Sequence, residues 1–258
     1  MKTIIKCLLA TALLAALVFA CKKDKSGEKL GEKATYGNGS IQTYALLDDA
    51  GTLTECGVTF DDAALTGLPK TPPVDLFQYF SASVDLPTAA TDQTGMKHMT
   101  VDYYPFGHNP DGIYSVEHID FYTHYLSEAE RLLVGANPAD STRFAAELPA
   151  GSLPPTFIDA FHAPTIGTHL VNVAAPEFAA PPFSDAFLYG KYDGKLSFLE
   201  SMLTLTVIKA ATTTAKSFDI PQPGVFPQPG KLFPTKYNIW HDAAAKKYKF
   251  FLSGFVKH

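Results

Sequence analysis

Glu117-His118-Ile119-Asp120-Phe121-Tyr122-Thr123-His124-Tyr125 is the stretch of this chain whose residue types could do the most chemistry. On a β-strand the side chains alternate, so His118, Asp120, Tyr122 and His124 share one face. Ile119, Phe121 and Tyr125 fall on the other. Imidazole and carboxylate are donors for zinc, iron, copper or manganese, and they also serve as general acids and bases. Same-face neighbours on a strand stand about 7 Å apart, so i and i+2 converge on one ion only with suitable rotamers or a bulge. The spacing permits a centre without diagnosing one.

A second constellation lies in Phe183–Met202, where Asp193-Gly194 has the residue types of a two-residue type I′ hairpin turn. That turn sets Tyr192 opposite Lys195, hence Phe187 opposite Glu200 and Asp185 opposite Met202. Asp185 and Glu200 are then predicted as diagonal neighbours on one face, roughly 5.5–8 Å apart. They share it with Phe187, Tyr189 and Phe198, so the face lines a site rather than bulk solvent. Two carboxylates so placed can share a metal, act as an acid/base pair or repel mildly in water. His108, in Phe106-Gly107-His108-Asn109-Pro110-Asp111-Gly112, and His169, in Gly167-Thr168-His169, read as loop histidines that complete the set. The metal-ligand set is therefore His118, Asp120, His169 and Glu200, suited to one transition-metal ion. His108, Tyr122, His124 and Asp185 are further cavity residues. His98, His162, His241 and His258 read as ordinary polar positions. No Gly-x-Ser-x-Gly, Walker loop, dinucleotide fingerprint, His-Glu-x-x-His or Cys-x-x-Cys occurs.

Positioning these groups is work for strands. The chain has 258 residues, 46% of them hydrophobic and 18% charged, with 19 Phe, 12 Tyr, 19 Pro and 18 Gly. That mixture favours strands and turns over helices, in a chain able to bury a sizeable core. Alternation predicts strands over 40–46, 53–60, 76–84, 97–104, 114–125, a hairpin over 183–203, and a closing hairpin from 237–240 and 248–255. Ser127-Glu128-Ala129-Glu130 has capping-box spacing and opens a short helix to Val134; 140–148 is a second. The proline-rich 149–182 reads as surface connection. The expectation is one mainly-β domain over 35–258, an antiparallel barrel or sandwich with one or two short helices.

The N-terminus reads as an address. Lys2 and Lys6 precede an uncharged run, Cys7–Ala20, too short to span a bilayer and of signal-peptide length. It ends Val18-Phe19-Ala20-Cys21, like a bacterial lipoprotein signal whose cysteine becomes the lipidated N-terminus. Residues 1–20 are then a signal peptide, and 21–34 an anchored Cys21 with a polar tether. Acyl chains on Cys21 would bind a membrane and place the protein in the cell envelope. Removing 1–20 takes the formal charge from −5 to −7, and the body has no basic cluster, so a nucleic-acid partner is not expected. Only Cys56 remains beyond the anchor; it reads as a buried or edge-strand thiol.

The ordered string of motifs from His98 to Tyr114, His118-Ile119-Asp120-Phe121, Gly167-Thr168-His169, Tyr189 to Gly194 and Phe198 to Met202 resembles a family of secreted bacterial proteins. It is a domain-of-unknown-function family typified by a Thermus protein under extracytoplasmic sigma-factor control. The resemblance implies a shared mainly-β fold and polar centre but no reaction. The family carries histidine where this chain has Tyr122, and tends to carry it at Asp185, so this chain has fewer imidazoles near the centre.

Three readings follow, in order of preference. The first is a lipid-anchored envelope protein that binds a small ligand or partner in a polar and aromatic β-walled cavity. The second is a cupin-like metal-dependent enzyme, and the third a structural lipoprotein that forms homo-oligomers.

Overall fold

A computed structural model describes residues 26–71, 80–135, 140–180 and 182–258. The expected signal peptide over 1–20, Cys21 and positions 76–79 of the predicted third strand lie outside the described residues. Among those described, no helix is long and apolar enough to cross a membrane.

The chain is mainly β and sandwich-like. Its strands are β1 (Gly27–Tyr36), β2 (Gly39–Leu47), β3 (Leu53–Asp61), β4 (Phe80–Asp85), β5 (His98–Tyr104), β6 (His118–His124), β7 (Phe157–Ala163), β8 (Gly167–Asn172), β9 (Asp185–Tyr192), β10 (Lys195–Thr204), β11 (Lys216–Asp219), β12 (Leu232–Phe233), β13 (Lys236–Asp242), β14 (Lys247–Ser253) and β15 (Val256–Lys257). One antiparallel sheet runs β1-β2-β3-β14-β13-β11 and the other β4-β5-β6-β10-β9-β8-β7; β12 and β15 form a small ribbon. Five short α-helices occur among the described residues, more than the one or two expected. The predicted helix after Ser127 is α2 (Glu128–Arg131), closed by its capping box. The predicted 140–148 helix is α3 (Ser141–Ala145).

The two sheets meet through large apolar side chains. Phe121 of β6 lies flat on Phe250 of β14, ring centroids 4.0 Å apart, and Phe187 of β9 stacks on Tyr237 of β13 at 5.9 Å. Ile119, Val101, Met99, Leu199 and Leu203 fill the same layer. That fixes the parity of the second sheet. Odd-numbered residues of β5 and β6 face the inter-sheet core, and His118, Asp120, Tyr122 and His124 face outward. Every residue of β5 and β6 is nonetheless buried. The outer face is roofed by the connections around Tyr114, Phe178 and Phe183 on one side and Ala163 and Ile166 on the other.

Two expectations are corrected. The tether of 21–34 does not run to residue 34: Gly27–Tyr36 is the edge strand β1, paired with β2. Its polarity misled because an edge strand is held by backbone hydrogen bonds and needs no apolar run. Charged side chains on an edge also discourage pairing with other chains. Gly31 is required where β1 bulges, since a Cβ there would lie 2.2 Å from Thr43 Oγ1. Likewise, 149–182 is not all connection. Prolines 149, 154, 155, 164 and 176 flank β7 and β8 without entering them.

Candidate metal centre and cavity

The centre is built on the outer face of β5, β6 and β10. Asp102 stands directly across from Asp120, and Glu200 directly across from Tyr122, so Glu200 is a diagonal neighbour of Asp120. All three carboxylates are at most 2% exposed. Burial of that kind withdraws several kcal/mol of hydration from each charge, so their partners decide their state.

Two histidines converge on Asp120. His118 donates its Nδ1–H to the carbonyl of Val116 at 2.6 Å, because a carbonyl can only accept. His108 does the same to its neighbour Asn109 at 2.7 Å. Both Nε2 atoms are thereby turned on the same carboxylate: His108 Nε2 is 3.2 Å from Oδ2 and His118 Nε2 is 3.2 Å from Oδ1. The second contact is not aligned as a hydrogen bond, and His118 Nε2 and Asp120 Oδ1 each lack a partner. Gly107, at φ 72°, makes the turn that brings His108 back over β6, and His108 N–H donates to Tyr114 O at 3.1 Å. One donor atom from each of His108, His118 and Asp120 lies within 4.8 Å of the others.

Glu200 sits against this trio with both carboxylate oxygens lacking hydrogen-bond partners. His169 Nε2 is 3.5 Å from its Oε2, and the Tyr122 hydroxyl lies within hydrogen-bonding distance of His169 Nε2 at 3.3 Å. Burial and the Asp120 charge hold Glu200 well above the usual carboxylate range. Burial also acts on Asp120, but the positive potential of His118 and His108 outweighs it and holds that carboxyl down at about 2. Burial lifts Asp102 to about 8, although Ser81 donates to it at 2.5 Å. Burial depresses His169 to about 3. One ionised and two proton-retaining carboxyls around two imidazoles form a site with spare negative capacity for a cation.

Six of the predicted residues thus come together: His108, His118, Asp120, Tyr122, His169 and Glu200. Two do not join them. His124 lies farther along β6, stacked on His98 at 4.5 Å with Thr100 Oγ1 3.2 Å from its Nε2. Asp185 faces the other way. The hairpin begins in the predicted register, Tyr192 opposite Lys195, but an extra residue at Ser197 shifts it, so Glu200 pairs with Leu188 and Asp185 with Leu203. A one-residue shift exchanges the faces of everything beyond it. Asp185 lines a separate pocket with Glu177, Asp219 and Tyr237.

His169 belongs to β8, not a loop, and His98 is a buried member of the same face rather than a surface group. Arg131 Nε donates to His98 Nε2 at 3.2 Å, and Nη1 to Thr165 O at 2.8 Å. The parity argument applied to β6 also applies to 98–104 and would have found His98 and Asp102. Nothing local in the sequence marks Arg131.

A cavity of about 360 Å³ adjoins the centre, with Tyr104, His108, Tyr122, Phe161, Ile166 and His169 among its walls. His108 is the ligand-type residue that reaches it from the trio: its side chain is 12% exposed, against 0% for His118 and Asp120. Two imidazoles and one carboxylate with further positions free make the donor pattern of an open, reactive metal site rather than a closed structural one. Comparison of the chain with family models, curated proteins and solved structures gives no match.

Proposed function

We propose that this protein holds one divalent transition-metal ion through His108 Nε2, His118 Nε2 and Asp120, with Glu200 beside it, and uses the ion's remaining positions to bind a small molecule entering through the adjoining cavity. One observation carries the reading. Both histidines commit Nδ1–H to backbone carbonyls and aim Nε2 at one buried carboxylate. Orientation of imidazole ligands by such hydrogen bonds is the usual support for a metal. The orphaned oxygens of Glu200 supply a fourth ligand or a base for a metal-bound water. The motifs behind the family resemblance contain these groups: His108, His118-Ile119-Asp120-Phe121, His169 and Glu200 each fall within one of them.

Thermal unfolding with and without zinc tests this. A ligand that binds only the native state stabilises it, by about 2.7 kcal/mol at a hundred times Kd. Zinc is expected to raise the Tm of the wild type and leave that of His118→Ala unmoved. Equal behaviour of the two proteins refutes the site. We further infer an envelope address through lipidated Cys21, supported by the uncharged run and Ala20-Cys21 boundary. The chain should partition into detergent and lose that property on Cys21→Ser.

A further inference from the structure

We propose that the cavity beside the centre takes a small planar aromatic molecule bearing a phenolic hydroxyl, a phenol or a catechol. Its ring would lie among the apolar walls and its oxygen would be turned to the His108, Tyr122 and His169 end. The oxygen's anchor rests on the metal-centre reading above.

Size is the first argument. An apolar cavity of about 150 Å³ already accepts benzene. At about 360 Å³ this one has more than twice that room, enough for a substituted single ring or a fused pair of rings. Charge is the second. No lysine, arginine, aspartate or glutamate lines it, so positive charge is confined to the end at the centre and a multiply charged anion finds no partner along the other walls. The third argument is the arrangement of the polar groups. His162 is at the wall, but its Nδ1 is already engaged with Thr168 Oγ1 at 2.7 Å. His108, Tyr122 and His169 are the wall residues that touch Asp120 or Glu200 or each other. The cavity therefore has a polar end at the centre, and the remaining wall is apolar and aromatic apart from Asn109 and His162.

Ring geometry separates an aromatic from an aliphatic alcohol of the same volume. Phe161 lies flat on the His169 imidazole, centroids 4.0 Å apart and 15° between planes, and Tyr122 meets that imidazole edge-on at 84°. Tyr104 stands edge-on to His108 at 4.6 Å. Flat and edge-on ring surfaces at one end favour a further aromatic ring, which gains offset-stacked or T-shaped contacts that a saturated ring lacks.

The experiment is calorimetric titration of the zinc-loaded full chain, held in mild detergent, with phenol, catechol, cyclohexanol and inorganic phosphate. Phenol and catechol are expected to bind, cyclohexanol at least tenfold more weakly and phosphate more weakly still. Ala160→Trp, at the exposed rim of the cavity, is expected to reduce catechol affinity at least tenfold with zinc content unchanged. Cyclohexanol binding as tightly as phenol, tighter phosphate binding, or an Ala160→Trp protein that binds catechol normally would overturn the assignment. A zinc-loaded protein indifferent to phenols overturns this inference alone. A chain that takes up no zinc overturns the metal centre and this inference with it.

Discussion

A carboxylate carried from water into a protein interior loses several kcal/mol of hydration that neighbouring groups must replace. For Asp120 the replacement is the positive potential of His108 and His118. At Glu200 the nearby Tyr122 hydroxyl favours the charged form, but burial and the Asp120 charge outweigh it and keep the proton on. In the metal-free protein Glu200→Gln therefore exchanges one neutral group for another of the same shape. Its unfolding free energy at pH 7 should stay within about 1 kcal/mol of wild type by urea titration, while zinc affinity falls at least tenfold. A larger loss of stability would mean that Glu200 is an anionic structural partner. His98 supports a second test. Burial and the charge of Arg131 lower it from 6.5 to about 4. The unfolded chain takes up this proton near pH 6.5, and the native state does not until about pH 4. Over that window the unfolded state binds more protons, so stability falls as pH falls, by up to about 1.4 kcal/mol per pH unit. Urea midpoints at pH 7 and pH 5 should differ in that direction, with a shallower difference in His98→Gln. Identical midpoints at the two pH values in the wild type would contradict the buried neutral imidazole.

Strands do the positioning, and their legibility varied with how local the cause is. The outward row of β6 follows from period two alone, and the capping box of α2 was readable from Ser127 and Glu130. The bulge at Ser197 was not, because a Gly-turn hairpin fixes register only from its own end. That single residue removes Asp185 from the centre and turns Glu200 toward it. β1 and β7–β8 escape a reading of composition for a different reason. Their pairing partners, not their composition, hold them. The convergence of His108 and His169 on β6 and β10 is likewise a matter of tertiary closure, although residue type alone marks both as candidates. Gly190 shows how tightly the element scale supports the site. A Cβ at this position would stand 1.9 Å from the Phe198 ring, which lies 5.0 Å from the His169 ring and 5.4 Å from that of Tyr122. Gly190→Ala should therefore destabilise the fold by about 1–3 kcal/mol through overpacking. A urea midpoint equal to that of the wild type would show that Phe198 has room to move.

At the scale of the molecule, the two faces of the seven-stranded sheet divide the work. The inner face buries Phe121, Phe187, Leu199 and Leu203 against the other sheet and carries stability. The outer face, roofed by connections, holds the ionisable groups at the price of burying them. A mainly-β sandwich was readable from the alternation and aromatic content. That its polar centre would lie outside the sandwich, and not within a barrel, was not, since alternation gives the parity of each strand but not which layer covers it. The division matters for the central claim, because substitutions on the outer face can empty the centre and leave the inter-sheet core intact. Elemental analysis of the whole protein, equilibrated with zinc and freed of unbound metal, is the most direct check. One zinc per wild-type chain is expected, with Asp120→Asn retaining none while unfolding cooperatively. Wild-type protein emerging without metal, or Asp120→Asn keeping its full share, would contradict the proposed centre.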